Sequence, residues 1–517
     1  MEVYKHAFKH SNITKANNCG EIMELSFLEK YIYTLIGRAR KYNVPFICAV
    51  ISGILAHMFV MTNKLINADE TSALFSKGAT LTSGRWFLEF TKYIFPNYSM
   101  PWIYGVLSII FISISACYIL SIFKIKSRIL SCILASSFTT FPSITAYMCY
   151  MFTSAPFCLA VLMSVLFVYF VKDLNFKKCI IGVLLQVLSL ATYQAFISFS
   201  ASLLIILLMQ QLLLTDSDAK TLFIRAVKYF LLLVLSLAVY YGITLIVNTV
   251  AGCELENSSY SFSETSLIVR FITCYTSFAG IFIKGYFGFV RSSFSACIHI
   301  LGLLTVAFIA VKKLKNEKSI CKKVLFVVLI CLWPLATNCL YLVASPGVIQ
   351  TLSVSPFISI YVLFAVFSDS ELLEKDIIMT ALTLVVIMNV YAANTSYLKM
   401  YLDYENAYSY FTTLNSCIYS NPEYEYGMKV VIYGKAEHGI YHNDIDIGQM
   451  LGAHEYVTDF YTLDSFYKYY LGSDMNVEFI DDYSCYEDVF SDMDVYPSSG
   501  SIKVSDGTMF VKLSECS

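Results

Sequence analysis

Up to about residue 393 the chain is a series of long apolar runs separated by short, mostly basic loops. A helix needs about 20 apolar residues to cross a bilayer core about 30 Å thick. Runs of that kind lie at 44–62, 102–123, 129–147, 152–171, 229–250, 295–311, 324–343, 353–367 and 377–393. One more run, 179–214, has roughly 36 residues and would be about 54 Å long as a single helix, too long for one pass. Lys172, Lys177 and Lys178 precede it and Lys220, Arg225 and Lys228 follow it. Basic flanks stay on the cytoplasmic side, so both ends belong there and two short helices are expected, with a turn near Tyr193, Gln194 and 198–202. The pattern therefore predicts about 11 membrane helices, with 271–290 as a further segment able to enter the bilayer.

Positive charge also sets the orientation. With Arg38, Arg40 and Lys41 inside, the loops 124–128, 173–178, 216–228 and 312–323 all fall inside; only the short acidic loop 369–376 runs against the trend. The expected organisation is a cytoplasmic amphipathic segment at 1–43, a transmembrane domain at 44–395 with outer loops at 63–101 and 251–294, and an outer α/β domain at 396–517. The first apolar run is expected to be an uncleaved anchor, since 1–43 is polar or amphipathic. After residue 396 the pattern type alternates, as expected of a folded domain. Residues 397–419 read as an amphipathic helix, Lys429–Tyr433 as a buried strand, 455–471 as an aromatic-rich helix and 477–480 as a second strand. Residues 501–514 form a hairpin pattern around Asp506-Gly507, whose glycine permits the positive φ of a tight turn.

Composition agrees with the bilayer as main solvent: 57% of residues are hydrophobic and only 14% charged, with a mean hydropathy of +0.63, which excludes a soluble protein. The net charge of -2 hides a split, because from residue 396 onward there are about 20 acidic against about 6 basic residues, leaving the remainder basic. Nucleic acid is not an expected partner. The 16 cysteines sit mostly as single residues in apolar runs and read as packing residues, although Cys253, Cys274, Cys417, Cys485 and Cys516 would face the oxidising side.

Candidate chemistry lies in the outer loops. A sugar transfer to a hydroxyl needs a carboxylate to take the acceptor proton, held where a lipid donor presents its phosphate; Asp69 and Glu70, just past the first span, are placed for that. Equally, Asp69 could cap the next helix. Arg85 and Trp86 follow, as substrate contacts or as an interfacial anchor pair. Arg270, Lys284 and Arg291, spaced by 14 and then 7 residues, would share one helix face and could clamp a phosphate, or rest on anionic headgroups. Tyr193 and Gln194 at the outer turn could bind sugar hydroxyls or simply end a helix; Asn338 and Gln350 are weaker candidates of the same sort. Asp444-Ile445-Asp446 matches the D-x-D pattern of nucleotide-sugar enzymes but lies where no nucleotide sugar is expected. The histidines show no metal-ligand spacing, and no dinucleotide, Walker A or nucleophile-elbow motif is present.

In combination, the acids at 67–70, Gly84-Arg85-Trp86-Phe87, the segment 189–200 with its Ala191-Thr192-Tyr193-Gln194-Ala195 core, and Tyr496-Pro497-Ser498-Ser499-Gly500-Ser501-Ile502-Lys503 resemble the phage-type, serotype-converting O-antigen glucosyltransferases of enteric bacteria. The resemblance implies a type C glycosyltransferase-like fold in the bacterial inner membrane. It further implies glucose delivered from undecaprenyl-phosphate-glucose, transfer to O-antigen still on its lipid carrier in the periplasm, and a donor synthase and flippase encoded separately. The family's first-loop acid would correspond to Asp69 or Glu70. No cofactor is expected, with a divalent metal left open. The competing reading is a transporter or flippase of lipid-linked saccharides. Against it stand the lack of internal symmetry, the lack of charge at span centres and a folded outer domain of about 120 residues. A receptor or assembly scaffold is a third class and would need no acid at the lipid surface.

Overall fold

The computed structural model describes residues 40–66, 69, 80–96, 99–215, 217–255, 266–283, 293–342, 351–436 and 460–515. The chain divides into two units, 1–44 and 45–517; the first is described only at 40–44, and the architecture below is that of the second. In chain order the helices of the apolar region are α1 (Asn43–Thr62), α2 (Trp86–Thr91), α3 (Pro101–Phe123), α4 (Arg128–Thr139), α5 (Pro142–Cys149), α6 (Met151–Val171), α7 (Phe176–Leu190), α8 (Phe196–Leu214), α9 (Ala219–Ala251), α10 (Leu267–Ile283), α11 (Ser293–Asn316), α12 (Ile320–Thr337), α13 (Ser359–Ser368) and α14 (Leu372–Tyr419).

Among the described residues nine helices, counting α4 and α5 together, are long and apolar enough to cross a membrane. The two further passes expected from the sequence are α7 and α13, which are shorter. The α7 helix has 15 residues, about 22 Å of rise, and joins α8 through the turn 191–195, within the expected hairpin. Ser189 Oγ donates to Ala160 O (2.8 Å) and Ser200 Oγ to Gln186 Oε1 (2.6 Å), small polar side chains that hold α6, α7 and α8 together where apolar contact alone gives little preference. The α13 helix, preceded by single 3₁₀ turns, is buried along its whole length, as an all-apolar short helix must be.

The run 129–147, read as one span, is broken. Pro142 starts α5, and Phe141 before it is extended (φ -62°, ψ 141°), because the proline ring disfavours helix in the preceding residue and proline offers no N–H to the turn before. A carbonyl freed at such a break must find a partner inside the bundle. Thr139 O accepts a hydrogen bond from His57 Nε2 at 2.8 Å, and His57 Nδ1 meets the Tyr397 hydroxyl at 2.7 Å. Since Nε2 must donate, Nδ1 of the neutral ring accepts from Tyr397. His57→Ala would strand both partners in the interior and is expected to cost about 2–6 kcal/mol, read as a lower thermal-unfolding midpoint in detergent; an unchanged midpoint would mean that the bridge adds nothing to stability.

The loops between α3 and α4 and between α13 and α14 gather with the C-terminal end of α11 at one end of the bundle. Asp369 accepts from Lys126 N (2.8 Å) and Ser127 N (2.9 Å), and Glu371 pairs with Lys312 and Lys313, each at 2.9 Å. The bonds from Lys313 and Lys312 hold the Glu371 carboxyl below its usual range. Contact with basic loops thus accounts for the one acidic loop that ran against the charge pattern.

The α14 helix has 48 residues, about 72 Å, and runs unbroken from this basic end into the C-terminal domain. The sequence suggested a span followed by a separate amphipathic helix, but no glycine or proline interrupts 372–419, so nothing forces a break. The domain adds β1 (Lys429–Tyr433), α15 (Phe460–Tyr469), β2 (Asn476–Ile480), α16 (Glu487–Phe490), β3 (Ile502–Ser505) and β4 (Thr508–Lys512). The sheet order is β2-β1-β4-β3, with β1 parallel to β2 and β4 and β3 antiparallel to β4. The expected hairpin closes through Asp506 (φ 48°) and Gly507 (φ 72°), two positive-φ residues that match the strand twist. Both faces of β1 are covered. Val430 and Ile432 pack with Phe411, Leu414 and Phe466, while Val431 and Tyr433 pack with Phe490 and Phe510, which is why the strand reads as a continuous apolar run. Residues 455–459 of the expected helix, and Asp444 to Asp446, lie outside the described residues.

Candidate functional site

At the end of the bundle away from the basic loops, the described part of the first loop folds back as a turn, 80–84, followed by α2. Gly84 N donates to Leu81 O (2.9 Å) and Arg85 N to Thr80 O (2.8 Å). Gly84 has φ +70°, and a Cβ there would lie 2.7 Å from the Tyr240 hydroxyl, so both backbone conformation and space require glycine. The turn is held by side chains from two elements. Gln194 Nε2 donates to Ser83 O and to the Tyr240 hydroxyl, both at 2.8 Å; Tyr240 in turn donates to Gly84 O at 3.0 Å, and Asn248 Nδ2 to Leu81 O at 3.2 Å. Trp86 is buried, its indole N–H donated to Thr244 Oγ1 at 3.1 Å, and Phe87 N donates to Ala191 O at 3.0 Å.

Tyr240, Thr244 and Asn248 were not singled out in the sequence, yet they form one stripe of α9 at intervals of four residues. Around them α9 exposes Phe230, Leu231, Leu235, Tyr241 and Ile246. A buried polar stripe on an otherwise lipid-facing helix must face a partner; that spacing was the available signal.

Arg85, Trp86, Tyr193 and Gln194 are therefore brought together. The Arg85 guanidinium lies over the Tyr193 ring, 5.0 Å from its centroid, and Tyr193 stacks on Phe157 at 5.4 Å. Arg85 Nε is buried with no hydrogen-bond partner among the described residues, an exception to the rule that buried polar groups are paired. Trp86 and the Gln194 amide protons are committed to holding the loop. Glu89 on α2 is engaged by Thr80 and Lys92.

Arg270 approaches the same end from α10. Its side chain is fully buried, and Nη1 donates to Leu342 O at 3.5 Å. The short turn Cys339–Leu342 that offers this carbonyl is tied to α8 through Ser198 Oγ and Cys339 Sγ (3.0 Å), and to α10 through Asn338 Nδ2, which donates to Cys274 O at 3.2 Å. Asn338 thus has a structural partner. Asp69 is exposed. Glu70, Lys284, Arg291 and Gln350 lie outside the described residues.

The start of the Asp69 loop has a support of its own. Ile66, three residues before Asp69, is fully buried in the core of the sheet domain with Ala407, Phe411, Leu463 and Phe466. Among the described residues no two cysteines form a disulfide, and no His, Cys, Asp and Glu cluster could hold a metal ion.

Fold and site define a polytopic membrane protein whose first loop, carrying the half-buried Arg85, is clamped against a helical hairpin. The family model described as Glucosyl transferase GtrII matches residues 58–368, more than half of the chain. The chain belongs to that family of glucosyltransferases, the one that its loop and turn motifs resemble. No curated protein and no solved structure matches it. The match takes in every candidate site residue and ends before the sheet domain.

Proposed function

We propose that the protein transfers glucose from undecaprenyl-phosphate-glucose to a sugar of lipid-linked O-antigen at the outer face of the bacterial inner membrane, on a type C glycosyltransferase-like scaffold. Membership of the glucosyltransferase family over 58–368 carries this reading and disfavours a transporter. The gathering of basic loops at the far end of the bundle supports a periplasmic position for the site and the sheet domain, because basic loops remain cytoplasmic.

In the proposed reaction the acceptor hydroxyl oxygen attacks C1 of the glucose and its proton passes to the carboxylate of Asp69 or Glu70. The C1–O bond to phosphate breaks, and polyprenyl phosphate leaves with the electron pair. A β-linked donor then yields an α-linked product in one displacement. Arg85, whose Nε has no partner among the described residues, and Arg270 neutralise the donor phosphate together with Lys284 and Arg291, since charge-assisted contacts are strongest where water is scarce. Tyr193, beside Arg85, hydrogen-bonds a glucose hydroxyl. Gln194 and Trp86 hold the loop that carries Arg85.

The test uses purified full-length protein, glucosyl-labelled undecaprenyl phosphate and lipid-linked acceptor. Label is expected to move into the acceptor with equal release of undecaprenyl phosphate. Label that stays on the donor with an active, folded preparation would overturn the assignment of donor or acceptor.

A further inference from the structure

A second site lies at the basic end of the bundle, remote from the residues assigned to glucosyl transfer. There the C-terminal ends of α3 and α8, the loops that follow them and the start of α9 line a cavity of about 770 Å³, which α11, α12 and α13 complete, and a smaller cleft of about 250 Å³ shares Lys313 and Glu317 with it. The charges in its wall do not cancel. Lys313 is taken by Glu371 (2.9 Å) and Lys322 by Glu317 (3.5 Å), while Asp369 is spent on two backbone N–H groups. Lys124, Lys126 and Arg225 remain, with no ion pair among the described residues. Arg225 is held in place by Gln211, whose Oε1 accepts from Nη1 at 2.9 Å.

The deeper wall is apolar, formed by Ile122, Phe123, Leu207 and Val366. The flanking helices expose Phe223, Ile224, Ile320 and Val324, so the cavity borders surface that faces acyl chains. A free anion would satisfy only the cations, whereas an amphiphile with a phosphodiester satisfies both parts of the wall. Basic pockets between membrane helices, at the level where the helices end, suit such a headgroup.

We infer that this cavity binds the phosphodiester headgroup of an anionic phospholipid, held by Lys124, Lys126 and Arg225 with its acyl chains directed along α9 and α12.

Full-length protein in detergent, titrated with phosphatidylglycerol or phosphatidylcholine and observed by native mass spectrometry, tests the inference. The protein is expected to retain phosphatidylglycerol in preference to phosphatidylcholine, and millimolar inorganic phosphate should not displace it. The single variants Lys124→Gln and Lys126→Gln alter exposed side chains and should fold; each is expected to weaken retention about tenfold. Arg225→Gln should do the same, whereas Lys315→Gln and Lys318→Gln, outside the cavity, should not. Equal retention of the two lipids, displacement by inorganic phosphate, or unchanged retention in all three cavity variants would each overturn the inference. None of these outcomes depends on glucosyl transfer, so the two assignments can fail separately.

Discussion

Removal of the general base should lower glucosyl transfer by about 10²- to 10⁴-fold. Of Asp69→Asn and Glu70→Gln, one is expected to lose turnover on this scale at normal membrane level and with an unchanged unfolding midpoint, and the other to lose much less. The amide keeps the size and hydrogen-bonding reach of the acid but cannot take the acceptor proton, so the loss should fall on turnover rather than on apparent donor affinity. Glu89, the described acid on α2, is engaged by Thr80 and Lys92, and Glu89→Gln should therefore cost mainly local stability. If both Asp69→Asn and Glu70→Gln kept near-normal transfer at equal expression, the base would lie elsewhere, with the acids of the sheet domain as the remaining candidates.

The second large effect concerns a residue that touches no substrate. Ile66 is buried in the sheet-domain core, so the domain anchors the chain just ahead of Asp69. Ile66→Ala leaves a cavity in that core, a change that typically costs about 2–5 kcal/mol locally. The energetic cost should appear chiefly as release of the loop, because most of the domain core is supplied by its own helices and strands. A shift of about 1 Å in a catalytic group can cost about 10²-fold in rate. Transfer by Ile66→Ala should therefore fall by about that factor in turnover, with little change in apparent donor affinity and with the sheet domain still resistant to protease. Ile66→Leu, which conserves volume, should restore most of the rate. A fully active Ile66→Ala would mean that the loop is positioned without the domain.

Much of the membrane architecture was legible because its physics is one-dimensional. Length separated the 36-residue run into α7 and α8, and flanking lysines required both ends on one side, whatever the packing. Pro142 was visible too, but as part of a run apolar enough to be one span; hydropathy does not register a backbone break. The strand 429–433 and the Asp506-Gly507 hairpin were readable because strand burial and turn conformation are local properties. The parallel placement of β1 between β2 and β4 was not, since these partners are separated by long connections and any apolar strand could have filled the centre.

The candidate site divides in the same way. Arg85, Trp86, Tyr193, Gln194 and Arg270 could be picked out by residue type and by position at the ends of apolar runs, but their roles could not. Trp86 and Gln194 prove to hold the loop, a role fixed by Thr244 and Tyr240 on α9, which lies about 50 residues further along the chain from Gln194. His57 is similar: an isolated histidine in a span acquires its task only when the break at Thr139 is placed beside it. By itself the sequence determined that the bilayer is the solvent, how the apolar runs are punctuated and where charge collects, because each depends on neighbouring residues and on transfer to lipid. Only the tertiary structure decided that Ile66 belongs to the C-terminal core, that a stripe of α9 clamps the first loop and that basic loops enclose a cavity. Those features arise from contacts between segments far apart in the chain, where the energy of a polar or charged group depends on which partner reaches it.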